Sequence, residues 1–125
     1  RCPLTRDALE RAAVPAGHTG ARLRLQQAVA RLLRGEKLSI AVFGGSMTAG
    51  MRAEMAWPQR LEHLFHRLGF DAKVQNLAHP ASTTTWPVGN FGRLKANITE
   101  AHLILVDYSL NDRWYSYLKE DYQTL

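Results

Sequence analysis

A chain of 125 residues, 46% hydrophobic and 22% charged, is long enough to bury one core and too short for two ordinary domains. Its net charge of +5 is spread over arginines on helical patterns instead of gathering in a block, which permits nucleic-acid binding without indicating it. A single cysteine, Cys2, excludes an internal disulfide and a cysteine-based metal cluster within the chain, and no apolar run approaches the roughly 20 residues of a membrane span.

Residues 1–19, with Pro3, Pro15 and Gly17, read as an irregular lead-in holding one helical turn near 6–13, and residues 20–125 read as one domain. The chain opens at Arg1 instead of a methionine and stops at Leu125 in mid-pattern, so a processed product or a portion of a longer protein is expected. From Ala21 to Arg34, Leu25, Val29, Leu32 and Leu33 recur at helical spacing beside a basic face of Arg22, Arg24, Arg31 and Arg34, until Gly35 ends the pattern. A core-covering helix with a solvated face is expected in preference to one made for an anionic surface, because Glu36-Lys37 leads at once into a strand.

In that next stretch, Leu38 to Gly50, an apolar run breaks into small and hydroxylated residues. Ile40, Val42 and Phe43 suit a buried parallel strand, and Gly44-Gly45 let the backbone turn sharply. Ser46 is thereby delivered at the strand's carboxyl end, the edge at which open α/β sheets bind ligands. A phosphate-binding loop would need a lysine and a hydroxyl after Gly50, where Met51 and Arg52 stand, and a G-x-G-x-x-G fingerprint fails because Ser46 and Met47 fill its glycine slots. Two readings stay open at this point. One is a nucleophilic serine on a strand-to-helix turn, akin to a nucleophile elbow but without G-x-S-x-G; the other is a glycine-rich turn with a capping serine.

Trp57-Pro58 opens a second helix whose apolar stripe is Leu61, Leu64, Phe65 and Leu68, and Gly69 stops it. His63 and His66, three apart on it, lack a third ligand at sensible spacing, so solvated histidines are expected and neither a metal nor a cofactor is assigned. Lys73 to Leu77 reads as a second strand that also empties into a polar loop, Ala78 to Thr85. Residues 89–98 carry a helical pattern through Phe91, Leu94 and Ile98; Asn97-Ile98-Thr99 is an N-glycosylation sequon, of consequence only on a secretory or extracellular route. His102 to Tyr108 is the most strand-like run and ends at Ser109-Leu110-Asn111-Asp112, where Asn111, taken alone, reads as a helix cap. Strands alternating with helices imply a parallel sheet, which gathers Ser46, the loop near Ala81 and Asn111 on one edge.

Those three strand ends resemble, in order, the first three sequence blocks of the SGNH, or GDSL-type, esterases and lipases. Gly44-Gly45-Ser46-Met47-Thr48-Ala49-Gly50 is similar to the family's G-D-S-x-T-x-G, with Gly45 in place of the aspartate, and the resemblance makes Ser46 the nucleophile. Asn76-Leu77-Ala78-His79-Pro80-Ala81 is similar to N-x-G-x-x-G, which puts Ala81 where a glycine offers its N–H to the oxyanion. Ser109-Leu110-Asn111-Asp112 is similar to G-x-N-D, which gives Asn111 the amide that completes the oxyanion hole. Trp57-Pro58 also looks like the helix that follows the first block, and the resemblance spans roughly residues 38–112.

The resemblance implies a three-layer α/β/α sandwich around a parallel sheet of flavodoxin-like order, incomplete in this chain. It also implies hydrolysis of carboxylic esters, such as acyl or acetyl esters of carbohydrate or lipid. The family's D-x-x-H pair has no counterpart: no histidine follows Asn111, His18, His63, His66 and His102 fall on elements directed away from the strand ends, and His79 lacks that context. The base is therefore expected from a missing carboxyl-terminal part of the domain or from a partner chain, and the 125 residues alone are expected to be inactive. A competing expectation rests on Gly45, Ala81 and Ser109 replacing three family residues: an SGNH-like module that binds or assembles without catalysis.

Overall fold

Strand β1 (Leu38–Gly44) is buried at every position except Ser39, so it can only be an interior strand covered on both faces. The structure is a computed structural model that describes residues 5–7 and 19–112. In it β1 pairs in parallel with β2 (Ala72–Asn76) on one side, from Leu38 opposite Ala72 to Val42 opposite Asn76. On the other side it pairs in parallel with β3 (Leu103–Asp107), from Ile40 opposite Leu103 to Gly44 opposite Asp107. The order is β2-β1-β3, and all three strands run out at the same edge.

Alternation along β1 sends side chains to two separate cores. Leu38, Ile40 and Val42 face helix α1 (Thr19–Leu33), through Ala28 and Leu32, and the helix Trp57–Arg67, here α3, through Trp57, Leu61 and Phe65. Ala41 and Phe43 face the opposite side, against Trp86 of α4 (Thr85–Gly89), Leu94 and Ile98 of α5 (Phe91–Thr99) and Tyr108. The result is the expected three-layer α/β/α sandwich. Between β1 and α3 lies the short helix α2 (Ser46–Ala49), and a further short helix, α6 (Ser109–Asp112), follows β3.

Several expectations need correction. On α1 the inward residues are Ala28 and Leu32, four apart, whereas Leu25, Val29 and Leu33 are 45%, 46% and 75% exposed. Leu33 lies about 100° round the helix from Leu32 and cannot share its face. On α3, Leu61 and Phe65 pack inward but Leu64 and Leu68 are exposed, with Trp57 and Phe70 taking their places against the sheet. Helix α4 stands at the end of what reads as a polar loop; Pro87 is tolerated there because it falls in the first turn, where no intrahelical N–H is needed. Most of the lead-in (1–4 and 8–18) and residues 113–125 lie outside the described residues, including His18. Asn97 sits inside α5 with its amide donating to Gln75 Oε1 at 3.3 Å, away from the exposed loop that a sequon normally occupies. No helix among the described residues is long and apolar enough to cross a membrane.

The two sheet edges are treated differently. On β2 the Val74 N–H donates to Glu62 Oε2 at 2.5 Å and the His66 ring lies 2.8 Å from the Ala72 carbonyl, so side chains one turn apart on α3 cover the outer backbone groups. That accounts for His66, while His63 is exposed. Among the described residues no strand pairs with the outer edge of β3, where Val106 is 36% exposed. An open groove of about 490 Å³, lined by Arg24, Ile98, Ala101, His102, Ile104 and Val106, runs beside it. Unpaired strand edges with apolar side chains recruit other strands. The purified 125-residue chain is accordingly expected to associate as its concentration rises, with a scattering mass above the monomer. A sharp, reversible, concentration-independent two-state melt of a monomer would contradict this.

Candidate active site

The turn that presents Ser46 is shaped by two glycines that close contacts require. Past β1, Gly45 is extended (φ −87°, ψ −155°), Ser46 opens α2, and Gly50 closes it in the left-handed region at φ 81°. A Cβ on Gly44 would strike the Thr48 side chain, and one on Gly45 would stand 2.7 Å from Asn111 Nδ2. A β-carbon there would displace the amide, so with Asn111 in this place Gly45 cannot be exchanged for aspartate without rearrangement. Ser46 is half-buried, and its hydroxyl has no hydrogen-bond partner among the described residues.

The second loop runs beside this turn and is stitched to it through the backbone. Leu77 N–H donates to the Val42 carbonyl at 2.8 Å and His79 N–H to the Gly44 carbonyl at 2.9 Å, extending the contact with β1 beyond the end of β2. Asn76 Oδ1 accepts from Ala78 N–H at 3.2 Å and the Ser82 hydroxyl donates to the His79 carbonyl at 2.5 Å, so the loop is internally tied. Ala81 is exposed and has φ 55°, a left-handed conformation that glycine adopts more readily than alanine.

Asn111 and Asp112 join the third strand end to the second loop. Asn111 lies within α6, its N–H bonded to the Tyr108 carbonyl at 2.9 Å, and its side-chain amide donates to the Ser82 carbonyl at 2.5 Å. It is not a helix cap. Its amide spans from Gly45, the neighbour of Ser46, to Ser82, the neighbour of Ala81, so the three residues singled out by the resemblance sit on loops that touch one another. Asp112 is buried and its Oδ1 accepts from Thr84 N–H at 3.2 Å, which fixes the entry to α4. Tyr108 is also buried, and among the described residues its hydroxyl and Asp112 Oδ2 make no hydrogen bond of normal geometry. Burial pushes the Tyr108 phenol above its ordinary pKa; the Ser82 hydroxyl opposes this and the Asp112 carboxylate adds to it. The phenol therefore stays protonated at neutral pH.

Thr48, quoted in the first block but given no role there, has more polar contacts than any other residue of this turn. Its Oγ1 donates to Asp107 Oδ2 at 2.7 Å and accepts from Trp57 Nε1 at 3.3 Å, and its carbonyl accepts from Asn76 Nδ2 at 3.0 Å. Asp107 closes an apolar strand, and that position was the available sign of a polar partner. Among the described histidines, His102 lies at the other end of the sheet, where Nδ1 accepts from Ser39 N–H at 2.9 Å. His79 belongs to the second loop but its ring stacks on Trp86, with centroids 4.7 Å apart and planes at 17°. None of the described histidines is hydrogen-bonded to Ser46. Among the described residues no group of three or more His, Cys, Asp or Glu side chains is placed to hold a metal ion.

No protein-family model and no curated protein matches the chain. Among solved structures, the chain is similar to AlinE4, described as an SGNH-hydrolase family esterase, with a TM-score of 0.58 and 26% sequence identity over 70% of this chain. The chain spans about half of that neighbour, 49% of its length. A structural neighbour is thus an esterase of the family whose sequence blocks the strand ends resemble.

Ala81 offers a direct check on the second loop. A left-handed L-residue costs roughly 1–2 kcal/mol, while glycine loses about 0.5–1 kcal/mol more backbone entropy on folding than alanine. Ala81→Gly is therefore expected to raise the unfolding free energy by up to about 1 kcal/mol in urea titrations, and Ala81→Val to lower it. A clear loss of stability in Ala81→Gly would contradict the loop conformation.

Proposed function

We propose that this chain carries the nucleophile and the oxyanion donors of a serine ester hydrolase acting on carboxylic esters, with an acyl or acetyl group on a carbohydrate or lipid as the substrate class. The observation that carries this reading is the Asn111 amide, held between Gly45 and the Ser82 carbonyl beside a serine whose hydroxyl is uncommitted. An amide nitrogen has two hydrogens. One is used on Ser82, which fixes the plane of the amide, and the other is free to meet a developing negative charge. A donor preorganised in this way is worth about 10² to 10³ in turnover.

In this mechanism Ser46 Oγ attacks the acyl carbon while its proton passes to a general base. The carbonyl electron pair moves onto oxygen, which the N–H groups of Ser46 and Ala81 and the Asn111 amide receive. The C–O bond to the alcohol then breaks, the base returns the proton to the leaving oxygen, and water hydrolyses the acyl-serine by the same steps in reverse. The base in this proposal is a histidine paired with an aspartate, supplied by a carboxyl-terminal part of the domain or a partner chain. Likeness to an esterase at 26% identity supports the reaction class.

A second reading, a module that binds the ester without turning it over, draws on the absence of a hydrogen-bonded base on Ser46 among the described residues. Treatment of the intact protein with a fluorophosphonate separates the two. The expected result is a single covalent adduct on Ser46, lost in Ser46→Ala, together with hydrolysis of short-chain nitrophenyl esters. An unmodified Ser46 and no ester hydrolysis, in protein whose Ser46 is shown to be accessible, would favour the module.

A further inference from the structure

We infer that Thr48 is the positioning residue of the Ser46 turn, acting through its hydrogen bond to Asp107; this rests on the reading of Ser46 as the nucleophile. Helix α2 has four residues, Ser46–Ala49, and a helix that short does not hold itself together, since nucleation costs more than one turn of hydrogen bonds returns. Whatever fixes the direction of the Ser46 hydroxyl must therefore come from outside α2.

Thr48 supplies it. Two positions after Ser46, it is completely buried although polar, with 0% exposure. Its side chain presses on Gly44 so closely that no Cβ fits there, which ties α2 to the end of β1. Its carbonyl takes the Asn76 amide at 3.0 Å, which ties it to the end of β2. Its hydroxyl gives its proton to Asp107 Oδ2 at 2.7 Å, which ties it to the end of β3, and takes the Trp57 indole N–H at 3.3 Å, which ties it to the start of α3. One residue thus links the serine turn to all three strand ends. The bond to Asp107 has a carboxylate acceptor, a class about twice as strong as neutral pairs, and the indole donating to the same oxygen polarises the hydroxyl further. Asp107 itself is exposed, so the negative end of the link lies on the same rim as the candidate site.

A displacement of about 1 Å in a reacting group can cost 10²-fold in rate. Thr48→Val keeps the shape and removes the hydroxyl; Thr48→Ser restores it; Asp107→Ala removes the acceptor from an exposed position and leaves the core intact if the valine variant fails to fold. Two measurements on the intact protein test the inference: steady-state ester hydrolysis per folded molecule, and amide hydrogen exchange at Ala49 and Gly50. With Thr48→Val, kcat is expected to fall by about 10- to 100-fold with KM within about twofold, and exchange at Ala49 and Gly50 to quicken more than about tenfold while α5 is unaffected. Thr48→Ser is expected to recover most of both, and Asp107→Ala to shift both in the direction of the valine variant. Unchanged kcat and unchanged exchange in Thr48→Val and Asp107→Ala would overturn the inference. If the unmodified protein neither hydrolyses esters nor reacts with a phosphonate, the esterase reading fails by itself, and the exchange measurement alone then decides whether Thr48 fixes the turn.

Discussion

The candidate site depends on the burial of β1 between two parallel neighbours. Ala41, Val42 and Phe43 are 0% exposed, and removing a side chain such as Phe43 typically costs about 3–5 kcal/mol, comparable with the whole stability of a small domain. That burial fixes the register, because a one-residue slip would carry Phe43 to the face packed by α1 and α3. Register in turn sets where the strands stop. With Val42 opposite Asn76 and Gly44 opposite Asp107, three chain exits fall within a few residues of one another, and loops of only a few residues suffice to bring Ser46, Ala81 and Asn111 together.

Two polar clusters then finish what the apolar core begins. Thr48, Asp107, Asn76 and Trp57 join α2 to the strand ends from the α3 side. On the other side Asn111, Ser82 and Asp112 join α6 to the second loop and to α4. Thr48, Ser82 and Asp112 are buried, where hydrogen bonds are strengthened by the low dielectric and an unpaired group is costly, while Asp107 reaches the exposed rim. The glycines are part of the same design. Gly44 makes room for Thr48 and Gly45 for Asn111, so both clusters approach the backbone on either side of the residue that leads into Ser46.

Much of this was legible in the chain, for physical reasons that differ by element. β1 and β3 announced themselves because continuous apolar runs bounded by glycine or polar residues have few other uses, and the structure places them at Leu38–Gly44 and Leu103–Asp107. The inward face of α1 was legible at Leu32 but not at Ala28, because a small side chain registers weakly against Leu25, Val29 and Leu33 although it packs against the sheet. Helix α4 was not read because its five residues, Thr85–Gly89, are too few to show a helical period between the polar loop and the pattern of 89–98. At the site, the placement of Ser46 and Asn111 on adjoining loops followed from strand alternation alone, whereas the Thr48 to Asp107 pair, 59 positions apart, exists only once the sheet is formed. The left-handed backbone of Ala81 had a faint sign in the resemblance, since a glycine is usual there.

The central claim is that the three strand ends converge on one oxyanion. A crystal structure of the intact protein carrying a phosphonate on Ser46 measures this directly. The phosphonyl oxygen is expected about 2.7–3.1 Å from the N–H groups of Ser46 and Ala81 and from Asn111 Nδ2, with the amide still bonded to the Ser82 carbonyl. A phosphonyl oxygen turned to solvent, with the Asn111 amide and the Ala81 N–H both out of reach, would contradict the account.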